Sequence, residues 1–306
     1  MGYSFDRANR RTHATREDGT TWRYQYNERG EVVDAAKLLP NDEALAGQQF
    51  GYSYDDIGNR TSDGRWSYTW DAENRLISLQ TLPFAVAAGH PNLTIEFSYD
   101  YLSRRIAKRV LDTANGNAVL SDRRFLYQGW NLVAEFEADS LNVLDPAAYH
   151  GWTNDLSGTP QGAGGVGGLY VSCLKRPDTG TWEKLYPTYD GNGNIIGWIN
   201  QEGVIVQRID YDAFGNELTK HGTLPGGIVA NFGFSTKYED QETGLLYYGY
   251  RYCAPSEAWH LLRGASPRRK LLKGGSREGQ GLATRFVASL AGVKERRKRM
   301  NDTTEA

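Results

Sequence analysis

The sequence is poor in cysteine and methionine, with two of each among 306 residues, and it holds no long apolar run. Cys173 and Cys253 cannot staple a disulfide framework, and neither has Cys or His neighbours at zinc-ligand spacing. No stretch approaches the roughly 20 apolar residues of a membrane helix, so no membrane span is expected. The opening run, Met1-Gly-Tyr-Ser-Phe-Asp6, has no basic segment leading into an apolar one, so no signal peptide is visible in this chain. Histidine is sparse as well. His13, His90, His150, His221 and His260 form no i, i+4 pair and sit near no nucleophile pattern. These absences exclude collagen, coiled coil, membrane bundle and cysteine-stapled mini-protein. They leave no catalytic, cofactor-binding or metal-ligating residue to assign.

What is present is aromatic and glycine-rich: 19 Tyr, 8 Trp and 35 Gly. That combination predicts many strands joined by tight turns. The formal net charge of −2 hides an asymmetry. Residues 256–306 carry 12 Lys/Arg against 5 Asp/Glu, while the first 255 carry 23 against 32. Of the Phe, Trp and Tyr residues, only Trp259 and Phe286 lie beyond Pro255. An acidic, aromatic body therefore gives way abruptly to a basic, aromatic-poor tail.

A loose repeat runs through the body. Tyr52-Ser-Tyr54-Asp55-Asp-Ile-Gly58-Asn59 reads as aromatic, any residue, aromatic, Asp, two residues, Gly, Asn. Tyr68-Thr-Trp70-Asp71 with Asn74, and Phe97-Ser-Tyr99-Asp100 with Ser103, follow the same scheme. So do Tyr189-Asp190 with Gly193, and Tyr211-Asp212 with Gly215. Weaker copies begin at Tyr3 and Tyr24, and a long gap separates Asp100 from Asp190. Aromatics at i and i+2 face one side of a strand. Asp accepts backbone N–H groups and opens a turn. Gly or Asn three residues later tolerates the positive φ of a tight hairpin. Each unit is thus strand, turn, strand, and stacked units make a long sheet with an aromatic face.

These units resemble the YD repeats of RHS-repeat proteins and of insecticidal toxin-complex shells. A second stretch is more specific. Tyr211-Asp212-Ala-Phe-Gly215, Phe232-Gly-Phe, then Thr243-Gly244-Leu245-Leu-Tyr247-Tyr248-Gly-Tyr-Arg251-Tyr252 is similar to the RHS-associated core. The resemblance implies an all-β fold in which YD-repeat hairpins form a curved open sheet, part of an RHS shell. It divides the chain into a repeat region at 1–140, a core-like region with a glycine-rich insertion at 141–255, and the tail at 256–306. In such proteins the shell encloses a toxic cargo, which an aspartate-dependent self-cleavage frees. No Asp occurs here between Asp240 and Asp302, so those aspartates have no counterpart. The family motif also breaks off after Tyr252, and the chain reads as a truncated core.

Three readings of 256–306 stand open. It is a basic cargo directed at nucleic acid, with Leu282, Phe286, Leu290 and Val293 near helical spacing. It is a poorly ordered or short-helical solvated tail. Or it is the out-of-frame product of a coding shift after Pro255. The function expected first is a non-enzymatic structural module, a shell and core fragment that partners a toxin cargo or another shell chain. A polymorphic toxin whose tail attacks nucleic acid is the alternative, with nucleic acid not a partner otherwise. A carbohydrate-binding surface built on Tyr52 and Tyr99 is a third, and would make glycans partners. As part of a longer chain the protein would be secreted or displayed on a bacterial surface. Two motifs point to nothing further. Gly162-Ala-Gly164-Gly-Val-Gly167 lacks a βαβ setting and reads as a flexible glycine loop. Asp190-Gly-Asn192-Gly-Asn194 imitates a calcium loop but has Ile195 and Gln201 where Gly and Glu are needed, and reads as a repeat turn.

Overall fold

The computed structural model describes residues 2–255 and 260–262, which fall within one compact unit, Met1–Ser266. The expectations for the tail lie outside the described residues, apart from a short strand at His260–Leu262.

Alternation of apolar and polar residues builds the strands. In Leu93–Tyr99, Ile95 and Phe97 point into the core while Glu96 and Ser98 face solvent. Five such strands, from Gly2–Phe5 to Ala44–Gly51, pair antiparallel in chain order. Fourteen more, from Ser53–Tyr54 to Glu217–Gly222, do the same. One extended stretch joins the two sheets. The Tyr52 N–H bonds the Val33 carbonyl at 2.9 Å, and the Tyr54 hydroxyl bonds the Val32 carbonyl at 2.8 Å. The open all-β sheet expected from the sequence is therefore present. The α-helix among the described residues is a single short one, Pro83–Ala87.

The repeat turns share one construction. At Asp71 the backbone N–H bonds the Arg75 carbonyl, and the Asn74 N–H returns to the Asp71 carbonyl. The Asp71 carboxylate accepts the N–H groups of Glu73 and Arg75 through Oδ1, and the Arg75 guanidinium at 2.6 Å through Oδ2. Asn74 takes φ of 60°, the left-handed value at which a three-residue hairpin closes with a bulge. The strand register accordingly shifts at Thr69/Trp70, just before the aspartate. Asp55, Asp100, Asp190 and Asp212 repeat the pattern, with positive φ at Gly58, Ser103, Gly193 and Gly215. The would-be calcium loop at Asp190 is one of these turns, its carboxylate accepting the Asn192 and Asn194 N–H groups.

The aromatic before four of these turns has a second task. The tips of Tyr26, Tyr54, Trp70 and Tyr99 donate to the carbonyls of Arg11, Val32, Arg60 and Leu76, each in the preceding unit. Each of those carbonyls lies five residues beyond the preceding turn's Asp or Asn. Neighbouring repeats are thereby locked together. Two units that the sequence pattern missed stand out. Asp139 closes the same turn inside the long gap, with Asn142 at φ 58°, and Asn200 closes another with Gly203 at φ 78°. Both escaped notice because neither follows an aromatic residue. Asp71→Ala removes three bonds at a partly exposed turn and is expected to cost about 1–2 kcal/mol, read as a lower urea midpoint at unchanged slope.

After Gly222 the chain leaves the meander. Residues 223–254 fold back over the apolar face and form three strands, Tyr238–Asp240, Leu245–Tyr247 and Tyr252–Ala254. Phe232, Tyr238, Leu245, Tyr247 and Tyr252 enter the same core as Leu79, Ile95, Leu185, Ile195 and Trp198 of the sheet. This returning segment is the plug on which the site is built.

Candidate functional site

The plug is seated by charge as well as by rings. Arg105 lies five residues beyond Asp100, on the inner face of the sheet, and is 1% exposed. Its guanidinium meets the Asp240 carboxylate at 2.5 Å. Rings of Phe97, Phe125, Tyr238, Tyr247 and Tyr252 surround it, with centroids 4.6–5.9 Å away. Lys108, three residues along and brought to the same face by a break in the strand register at Tyr99/Arg105, sits 3.2 Å from Asp240 and 2.8 Å from Glu242. The Tyr247 hydroxyl accepts the Arg105 backbone N–H at 2.8 Å, and the Tyr252 hydroxyl lies 2.9 Å from that of Tyr99. Burial works against the Asp240 charge, but the Arg105 and Lys108 cations outweigh it and hold the carboxyl below its ordinary pKa. Burial pushes the Tyr252 phenol up to about 12.

Beside this cluster lies a second buried group. Glu135 accepts from the Tyr238 hydroxyl at 3.0 Å and lies 3.0 Å from His150 Nε2, while His150 Nδ1 lies 3.0 Å from Ser172 Oγ. Burial opposes the Glu135 charge. The His150 bond and the Arg123 cation overcome that, and its pKa falls. The order Ser, His, Glu imitates a nucleophile and its base. Ser172 is 1% exposed, so no substrate reaches it, and the group acts as a buried bracket between sheet and plug.

The third feature is open to solvent. A cavity of about 250 Å3 lies between sheet and plug, lined by Tyr127, Trp130, Trp152, Phe232, Tyr248 and Tyr250, with Lys237 on its wall. Lys237 Nζ donates to the Gly164 carbonyl at 2.6 Å and lies 5.4 Å from the Tyr248 ring centre. The glycine-rich loop that supplies this carbonyl is tied down by a side chain of its own. Asp155 binds it from within, accepting the N–H groups of Ser157, Ala163 and Gly165. A larger depression of about 590 Å3 on the opposite face is lined by charges such as Asp122 and Arg124, which pair with each other.

The structure sorts the residues that the sequence pattern singled out. Gly244 takes φ of 70° in the plug's first hairpin, and Leu245 is buried beside it. Tyr247 and Tyr252 line the Arg105 cage, Tyr248 lines the cavity, and Arg251 is exposed. The repeat residues Tyr52, Tyr54, Asp55, Gly58, Tyr68, Trp70 and Asp71 are strung along the sheet and form no common site, and Tyr189, Asp190, Gly193, Tyr211, Asp212 and Gly215 form later units of it. Tyr52 is buried, and Tyr99 packs against the core with the Arg75 guanidinium 5.4 Å from its ring centre, so neither offers a free ring face to stack on a sugar. The sequence pattern missed Arg105, Lys108, Glu135, His150, Lys237 and Asp240. No sequence signal links Arg105 with Lys108, because their odd spacing puts them on opposite faces of a regular strand and only the register break at Tyr99/Arg105 brings them together.

No family model matches the chain. The tRNA3(Ser)-specific nuclease WapA of Bacillus spizizenii is 27% identical over 268 residues, covering 82% of this chain and 10% of that protein. The double-stranded DNA deaminase toxin A of Burkholderia cenocepacia is 23% identical over 284 residues, covering 83% of this chain and 18% of that protein. The chain thus spans a tenth to a fifth of the length of these curated relatives. Among solved structures, a TcdB2–TccC3–Cdc42 complex overlays 84% of this chain and 18% of its own at 14% identity, with a TM-score of 0.32. The relatives correct two expectations. Both are enzymes that act on nucleic acid, which overturns the reading of this chain as a non-enzymatic shell and core fragment. With it goes the inference that missing self-cleavage aspartates mean no enzymatic activity.

Proposed function

We propose that the chain is part of an RHS-type bacterial toxin polypeptide directed at nucleic acid, with tRNA the favoured target. The similarity to a tRNA-specific nuclease over 82% of the chain carries this reading. The charge division supports it. The body is acidic and repels phosphate, whereas 256–306 carry 12 cations, including Lys294, Arg296, Arg297, Lys298 and Arg299. Nucleic acid therefore engages the tail, and the repeat and core-like regions, 1–140 and 141–255, form the body that carries it. Such a polypeptide works after secretion or from the cell surface. Among the described residues no helix is long and apolar enough to cross a membrane.

The test is binding and cleavage by the full chain. Purified protein is expected to bind bulk tRNA, with affinity falling about 10²–10³-fold between about 50 and 200 mM salt if five phosphates are neutralised. Reversing those five cations to Glu should abolish both binding and the loss of intact tRNA in cells expressing the chain. Absence of binding at low salt, together with intact tRNA and DNA in those cells, would overturn the reading.

A further inference from the structure

We propose that the aromatic cavity around Lys237 is a binding site for a small aromatic aldehyde, a single planar ring bearing a reactive carbonyl, which Lys237 captures as a reversible imine. The site is distinct from the nucleic-acid reading and does not depend on it.

Size and lining select the ligand class. About 250 Å3 is below the span of ~300–1,000 Å3 common for drug-sized ligands, so the cavity suits one ring. Trp130 and Tyr250 stand 4.7 Å apart at 54°, and Trp152 and Tyr248 complete the walls. Aromatic rings take tilted or offset partners of this kind. The walls keep their spacing through backbone that has no room for a side chain. A Cβ at Gly249, where φ is 78°, would lie 2.9 Å from the Trp130 ring.

Lys237 differs from the other lysines near the plug. Lys108 is paired with Asp240 and Glu242, Lys175 with Asp145, and Lys220 with Glu217. Among the described residues no carboxylate forms an ion pair with Lys237; its partners are the Gly164 carbonyl and the Tyr248 ring. Asp155 favours its charged form, but that carboxylate is already committed to the glycine loop. Partial burial among the cavity walls, with no ion-paired carboxylate among the described residues, penalises the ammonium and pulls the Lys237 pKa down to about 8. A substantial share of the amine is then neutral near pH 7.5, and a neutral amine on an aromatic wall is a nucleophile. Its lone pair attacks the aldehyde carbon and forms the C–N bond. One of the two nitrogen protons passes to the carbonyl oxygen, which gives the carbinolamine. The second follows through solvent, so that the hydroxyl leaves as water while the C=N bond forms, and no oxidant or reductant is needed.

The probe is salicylaldehyde added to the full-length protein, with borohydride trapping and mapping of the modified peptides. At pH 7.5 Lys237 is expected to be trapped about tenfold or more faster than Lys175, Lys184 and Lys220, which do not line this cavity. The preference should shrink at pH 10.5, where high pH favours amine attack in general. Lys237→Arg should abolish the fast phase with the circular dichroism spectrum unchanged. Tyr250→Ala, which removes a wall, should reduce the preference while leaving Lys237 in place. Trapping of Lys237 no faster than the three reference lysines would overturn the proposal, and so would a preference untouched by Tyr250→Ala.

Discussion

Asp240→Ala is expected to destabilise the protein by about 3–5 kcal/mol, the cost of leaving a buried cation without its counter-ion. The stranded group is Arg105, 1% exposed and ringed by five aromatics that offer a face but no negative charge. Lys108 would lose its contact with the carboxylate as well and keep only Glu242. The double variant Arg105→Met with Asp240→Ala removes both charges and should recover most of the loss, because a buried pair stabilises little relative to an apolar replacement. Urea unfolding of the four species forms the thermodynamic cycle. Near-equal stability of Asp240→Ala and the parent would show that the plug is not held by this pair. Acid makes the same test without mutation. The Asp240 pKa is depressed in the folded protein, so its contribution is complete above the ordinary value of 3.8 and is lost as pH falls below it. Glu135, depressed from 4.5, behaves in the same direction. The plug should therefore stay seated at pH 5 and loosen only below about pH 4, which near-ultraviolet circular dichroism of the Tyr cage would record.

Trp198→Ala should cost about 3–5 kcal/mol, since it empties from the core the largest side chain that is fully buried among the described residues. Trp198 sits in the strand Ile195–Ile199, between repeat turns at Asp190 and Asn200, and packs in the core that includes Leu185 and Leu224. Among the described residues its indole nitrogen has no hydrogen-bond partner. Trp198→Phe consequently breaks no hydrogen bond and loses only part of the ring volume, so it should cost less than half as much. A Trp198→Phe penalty equal to that of alanine would mean that the nitrogen does hold a partner, a buried water for example, and that packing is not the main term.

The repeat turns were legible in the sequence because their causes are local. Asp71, Glu73, Asn74 and Arg75 complete every bond of the turn within five residues, and the aromatic before the aspartate adds strand character. The order of strands followed as well, since short antiparallel turns place each strand beside the last. Asp139 and Asn200 close the same turn without the aromatic cue, so the backbone satisfied the geometry where the pattern did not announce it.

The site belongs to the tertiary structure alone. Arg105 and Asp240 lie 135 residues apart, Tyr238 and Glu135 lie 103 apart, and Lys237 and Gly164 lie 73 apart. No local spacing links them. Each of these residues reads alone as an ordinary polar residue on a strand or loop. They meet because the chain turns back over the sheet after Gly222 and buries its aromatic plug on the apolar face. Burial then gives them their character. It makes an ion pair out of Arg105 and Asp240, a bracket out of Glu135, and a low-pKa amine out of Lys237. The sequence determined the repeating hairpin and the aromatic face by short-range hydrogen bonding and alternation. Which charges were taken out of water, and beside which rings, was decided only when the returning plug was packed on the apolar face of that sheet.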